Sequence, residues 1–150
     1  MTPELGELYQ DVVLEHGRWP RNFRRMKDAH RKAQGYNPLC GDEVTVYVKL
    51  RGDVVEDVCF EGYGCAISRA SASLMTSGVK GRSVAEALAL FEGFHALVTQ
   101  GPGAVDLEPL GKLVVLAGVF EFPARVKCAS LAWHTLRSAL EGREEAVSTE

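Results

Sequence analysis

Val44-Thr45-Val46-Tyr47-Val48-Lys49-Leu50-Arg51-Gly52-Asp53-Val54-Val55-Glu56-Asp57-Val58-Cys59-Phe60 is the stretch that decides the fold. Val44, Val46, Val48 and Leu50 alternate with Thr45, Tyr47 and Lys49, the two-residue period of a strand with one buried face. Arg51-Gly52-Asp53 supplies a turn. Beyond it Val54, Glu56, Val58 and Phe60 face one way and Val55, Asp57, Cys59 and Glu61 the other, so the two runs pair as an antiparallel hairpin. A third short strand is expected before them, near Ala33 to Tyr36.

Helical signals flank this sheet. Thr2 and Pro3 start a helix on which Leu5, Leu8, Tyr9, Val12 and Val13 share a face, and Gly17 and Pro20 end it. After Gly62 and Gly64 break the strand pattern, Ala66 to Ser77 reads as a helix. Ser83 with Glu86 is a capping box for another, carrying Ala87, Leu88, Phe91, Phe94 and Val98. Leu110, Leu113, Val114 and Ala117 have α-helical spacing, Pro123 interrupts, and a last helix runs from Lys127 to Leu140. The expectation is an α+β domain, a small antiparallel three-stranded sheet packed against several helices. One hundred and fifty residues suit a single domain over 1–150, with 142–150 a frayed tail.

A composition of 46% hydrophobic and 25% charged residues excludes a disordered chain, and a formal charge of −3 gives no global attraction to nucleic acid or anionic lipid. The longest apolar run, Leu113 to Phe120, is too short to cross a bilayer, and Glu4 and Glu7 stand where a signal peptide carries positive charge. The expected location is the cytoplasm, with neither nucleic acid nor membrane as partner. Basic charge is concentrated between Arg18 and Lys32, which reads first as a solvated connector, with Trp19 and Phe23 to pin it to the body.

In a reducing compartment four cysteines point to a metal or thiol chemistry before disulfides. Cys40 lies in the turn-forming Asn37-Pro38-Leu39-Cys40-Gly41-Asp42, and Cys65 follows Gly62-Tyr63-Gly64 at the hairpin's far end, so the hairpin brings the two together. Cys65 and Cys128 each stand where a helix is expected to open, a position that favours a thiolate. With Asp42 two residues from Cys40, three sulfurs and one oxygen meet the tetrahedral preference of zinc. Cys59, mid-strand beside Asp57 and Glu61, reads as a non-ligand. His16, His30, His95 and His134 read as structural or surface residues, with one of them an alternative to Asp42 as fourth ligand. Such a site carries a net charge of about −2, and Arg125 and Lys127, close before Cys128, are candidates to compensate it. Asp42, a hard donor among soft ones, is the ligand easiest to displace. The chain has no C-x-x-C, H-E-x-x-H, G-x-S-x-G or phosphate-binding glycine motif, which argues against ribbon-type zinc modules, zinc proteases, serine hydrolases and nucleotide-driven enzymes.

His16, Pro20-Arg21-Asn22, Asn37 to Asp42, Gly62-Tyr63-Gly64-Cys65-Ala66-Ile67-Ser68 and Lys127-Cys128-Ala129 together resemble the IscU/SufU family of iron–sulfur cluster assembly proteins over nearly the whole chain. The resemblance implies that Cys40, Asp42, Cys65 and Cys128 are the metal or cluster ligands. Lys127 where scaffold members carry histidine, Glu121 to Lys127 in place of a Leu-Pro-Pro-Val-Lys segment, and a longer stretch between the last two ligand cysteines all resemble the SufU branch. That branch implies a zinc-dependent sulfur acceptor, which takes persulfide sulfur from a pyridoxal-phosphate cysteine desulfurase and passes it to downstream cluster-assembly proteins. On that reading the desulfurase's cysteine replaces Cys40 on zinc and Cys40 accepts the sulfur. The competing expectations are a scaffold holding a transient iron–sulfur cluster on the same residues and a non-catalytic zinc-stabilised adaptor.

Overall fold

The computed structural model describes residues 3–143 and 147–148, with side chains described from Gln10 onward. Helix α1 (Pro3–Arg18) leads into β1 (Arg31–Asn37), β2 (Asp42–Arg51) and β3 (Val54–Tyr63). Helices α2 (Ala66–Val79) and α3 (Val84–Gln100) follow, then a short 3-10 turn (Pro102–Ala104), a 3-10 segment (Glu108–Glu121), α4 (Pro123–Leu140) and β4 (Val147–Ser148). Among the described residues no helix is long and apolar enough to cross a membrane.

The sheet has four strands in the order β3-β2-β1-β4, and not the three antiparallel strands expected. Its fourth strand pairs parallel to β1, Gly35 with Val147 and Tyr36 with Ser148. Two residues of a polar tail carry no alternation of their own, so their pairing comes from the exposed edge of β1 and not from a local pattern. The expected fraying of 142–150 bears partly on 144–146 and 149–150, which lie outside the described residues.

The hairpin pairs Val46 with Phe60 and Val48 with Val58, but its register shifts between Lys49 and Leu50, so that Leu50 faces Val55. Strict alternation would have placed Glu56 on the core face with Val54, Val58 and Phe60. The irregularity leaves Glu56 exposed and buries Val55 completely.

The 3-10 segment also departs from expectation. Its buried residues are Leu110, Leu113, Leu116 and Val119, a repeat of three that fits three residues per turn better than 3.6. The chain kinks at Gly111 (φ 55°), and β-branched Val114 and Val115 weaken an α-helical alternative. The capping box of α3 is present in both directions, Ser83 N–H to Glu86 Oε1 and Glu86 N–H to Ser83 Oγ, each 3.0 Å.

Apolar residues of β2 and β3 form one core with α2, α3, the 3-10 segment and α4. Trp133 on α4 is fully buried, stacked on Phe94 of α3 with ring centres 4.9 Å apart. The sheet's other face is covered by the basic stretch after α1. Met26 lies over Tyr47 and Cys59, and ion pairs Arg24–Asp57, Arg25–Glu61 and Lys49–Asp28 clamp the stretch to the sheet. Phe23 meets Phe60 edge-on, whereas Trp19 is 68% exposed and pins nothing.

Helix α4 crosses β1 at close range, and a Cβ at Gly35 would stand 2.1 Å from Thr135 Oγ1. Gly35→Ala is expected to lower stability by about 1–3 kcal/mol in urea unfolding, the usual cost of overpacking. Thr135→Ala in the same chain is expected to recover much of the loss, and simple additivity of the two changes would show that this contact is not the cause.

Candidate metal centre

Asn37 pairs with Asp42 across the β1–β2 connection, which leaves Pro38 to Gly41 as its tip. The Asn37 carbonyl accepts from the N–H groups of Cys40 (3.3 Å) and Gly41 (2.9 Å), and its side-chain oxygen accepts from Leu39 N–H (3.3 Å). This turn holds the exposed Cys40 at the end of the sheet, directly above the start of α4. Asn37 itself is fully buried, and its Nδ2 lies 3.8 Å from Cys128 Sγ.

Cys128 is fully buried, with its sulfur 3.5 Å from Cys40 Sγ and 3.6 Å from the Ala124 carbonyl. It does not open the last helix. Pro123, suited to the first helical position, starts α4 a turn and a half earlier. The helix-terminus argument for an easily ionised Cys128 therefore fails: burial above all, then the neighbouring Cys40 and Asp42 side chains, push its thiol well above the ordinary range.

Asp42 completes the group. Ligand atoms of Cys40, Asp42 and Cys128 all lie within 4.8 Å of one another. Asp42 is 1% exposed; its Oδ1 accepts from Cys65 N–H at 3.0 Å, while its buried Oδ2 has no hydrogen-bond partner. An orphaned carboxylate oxygen beside two sulfurs is costly to bury unless a cation balances it, so this donor set fits a divalent metal ion.

Cys65 takes the place expected of it at the head of α2, where its sulfur accepts from Ser68 N–H at 3.4 Å. That sulfur lies outside the three-ligand group. Cys65 reaches the group through its backbone, by the bond to Asp42. Cys59 sits in the separate cluster under Met26, where burial raises its thiol pKa. Arg125 is exposed and shares with Cys65, Val13, Ile67, Val119 and Phe122 an open groove of about 730 Å³. Lys127 is half-buried. Neither cation forms an ion pair or side-chain hydrogen bond among the described residues. No histidine joins the cluster: His16 Nδ1 lies 2.7 Å from Ser73 Oγ, His30 Nδ1 accepts from Leu50 N–H at 3.0 Å, and His95 and His134 face each other between α3 and α4.

Two contributors carry no ligand chemistry, and residue type does not mark them. Asn37, legible only as the start of an Asn-Pro turn, closes that turn and touches Cys128. Gly64 lets the β3–α2 connection lie against the carboxylate, since a Cβ there would stand 2.7 Å from Asp42 Oδ1 and 3.1 Å from Ser68 Oγ.

A sheet whose connections gather cysteines and a carboxylate over helices defines a class of small metal- or sulfur-handling domains, and the comparisons narrow it. The family model described as "NifU-like N terminal domain" matches residues 8–129, and the chain belongs to that family, which takes in IscU and SufU proteins. It is 41% identical over 140 residues to "Zinc-dependent sulfurtransferase SufU" of Bacillus subtilis (strain 168), covering 93% of this chain and 94% of that protein. It is 42% identical over 138 residues to "Iron-sulfur cluster assembly scaffold protein IscU" of Streptococcus pyogenes serotype M1, covering 92% and 86%. Among solved structures, a putative iron–sulfur cluster assembly scaffold protein for the SUF system from Fervidobacterium islandicum AW-1 superposes with a TM-score of 0.83 at 34% identity, over 89% of this chain and 97% of that one.

Gly64→Ala is expected to displace the Asp42 carboxylate and weaken divalent-metal binding, titrated with Zn²⁺, by about 10–100-fold, as loss of a ligand's supporting contact does, without changing the far-ultraviolet circular dichroism. Competition against a chromophoric chelator measures this, and unchanged affinity would show that the Cys65–Asp42 contact does not support the site.

Proposed function

We propose that this protein is a sulfur acceptor of iron–sulfur cluster assembly that holds zinc on Cys40, Asp42, Cys65 and Cys128 and works in the cytoplasm with a pyridoxal-phosphate cysteine desulfurase. The observation that carries the reading is the asymmetry of the two close sulfurs: Cys40 is exposed on a turn while Cys128, 3.5 Å away, is fully buried. The relative named as a zinc-dependent sulfurtransferase, matched over nearly its full length, supports it.

Bound zinc would supply positive charge that keeps these thiols ionised at neutral pH. Cys40 is the group a partner protein can reach. Its thiolate attacks the outer sulfur of the desulfurase persulfide, an S–S bond forms on Cys40, and the desulfurase cysteine leaves as the thiolate, with no net oxidation. Asp42 and Cys128, on a strand and a helix, keep their positions while the turn bearing Cys40 presents its sulfur outward. Cys65 would join as the fourth ligand, its sulfur leaving Ser68 N–H. Arg125, in the groove it shares with Cys65, and Lys127, next to Cys128 in the chain, are the candidate cations to offset its negative charge.

With a desulfurase, cysteine and a reductant, the zinc-loaded protein is expected to acquire persulfide on Cys40 and to stimulate sulfide release. Cys40→Ala is expected to reduce both to the level of the desulfurase alone, and undiminished transfer would remove Cys40 from its assigned role. The second reading, a scaffold, is favoured by the relative named for that role. Anaerobic reconstitution distinguishes them: stoichiometric iron and acid-labile sulfide bound in place of zinc would favour the scaffold.

A further inference from the structure

The four histidines divide sharply by what their rings do. His16 and His30 are used by the fold, each through Nδ1. His95 of α3 and His134 of α4, each edge-on to the Phe91 ring, turn toward each other beside a hollow of about 220 Å³ that Glu92, Ala96, Gln100 and Arg137 line with them. Neither ring has a hydrogen-bond partner among the described residues. Their ring centres are 5.6 Å apart with the planes at 77°. Two imidazoles on one tetrahedral ion, with metal–nitrogen bonds of about 2.0–2.1 Å, place their ring centres roughly 5 Å apart. The observed pair therefore already stands near the separation that a shared ion requires.

Glu92 adds a carboxylate on the same helix. It lies three residues before His95, a spacing that puts both side chains on one face, as in helical Glu-x-x-His ligand pairs. Its side chain is exposed and makes no ion pair among the described residues; its oxygens and the two imidazoles do not all lie within 4.8 Å of one another, so joining them takes a rotation of that exposed side chain. Two histidines and a carboxylate are donors suited to zinc and neighbouring transition metals. The one opposing charge is Arg137, whose guanidinium lies 5.1 Å from the Phe91 ring centre and whose Nε is 3.7 Å from Glu141 Oε1.

We propose that His95 and His134, with Glu92 as a third donor, form a second site for a divalent transition-metal ion such as Zn²⁺, separate from the cysteine cluster and bridging α3 to α4. Two or three protein donors leave positions for water, so this site is open and weaker than the thiolate site. It ties α3 to the helix that carries Cys128, and filling it stabilises the contact between them.

Calorimetric titration of Zn²⁺ into untagged protein already holding one equivalent at the cysteine site tests this. The expected result is a second, weaker equivalent that raises the thermal midpoint and shifts the imidazole nitrogen resonances of His95 and His134. His95→Ala, at an exposed position that leaves the core intact, and His134→Gln are each expected to weaken that equivalent at least tenfold. Glu92→Gln is expected to weaken it less, Arg137→Gln to tighten it, and His30→Gln to leave it unchanged. Absence of a second equivalent, its persistence in His95→Ala, or unshifted His95 and His134 resonances would each overturn the proposal. The first equivalent reports on the cysteine site alone, so failure here is distinct from failure of the proposed function.

Discussion

Everything in this molecule depends on how closely α4 lies against the sheet. Gly35 leaves no side chain between β1 and Thr135, and the helix settles into that space with Leu131 and Trp133 buried alongside. From this one contact follow two placements at different points along the same helix. Cys128, toward its start, is brought under the β1–β2 turn, and His134, further along, is turned toward α3. The buried face of the helix, which includes Cys128, Leu131, Trp133 and Leu136, holds both positions.

The cysteine cluster shows what that placement does electrostatically. A carboxylate and two sulfurs are held together at the end of the sheet, with Asp42 almost inaccessible to water and one of its oxygens unpartnered. The Cys65 N–H answers the other oxygen, and Asn37 Nδ2 approaches Cys128 from the strand side. These donors are few and neutral. They orient the ligands and do not cancel the charge, so the balance is left to a cation.

Much of this was readable in the chain. Valines at Val44, Val46 and Val48 announced the central strand, and the hairpin they begin made the meeting of Asp42 with the Gly64-Cys65 turn predictable, because opposite ends of paired strands must lie side by side. Part of what escaped reading has a common cause. The parallel pairing of Val147 with Gly35 and the exclusion of Glu56 are decided by partners remote in sequence or by a single shifted register, whereas the early start of α4 is local, with Pro123 opening the helix and not interrupting it. The 3-10 segment is different: its three-residue repeat Leu110, Leu113, Leu116, Val119 shares Leu110 and Leu113 with the α-helical spacing that runs on to Val114 and Ala117, so the two periods overlap in the chain. Within the site, ligand types marked Cys40, Asp42 and Cys128, while Asn37 and Gly64 act through a turn and through the absence of a side chain, which residue chemistry does not advertise.

The division of labour among the candidate ligands bears on how a site can be both stable and reactive. Asp42 begins a central strand and Cys128 sits in the second turn of a long helix, so neither can move without disturbing the core. Cys40 is borne by a turn whose tip, Pro38 to Gly41, is exposed throughout. Moving it disturbs the turn's three hydrogen bonds to Asn37 and the contact of its sulfur with Cys128 Sγ. In the proposed role Cys40 meets another protein's sulfur, and the turn confines the cost of that motion to a few residues. Rigidity in Asp42 and Cys128 then preserves the binding place while Cys40 is engaged, which an arrangement with every donor on a strand or helix would not permit.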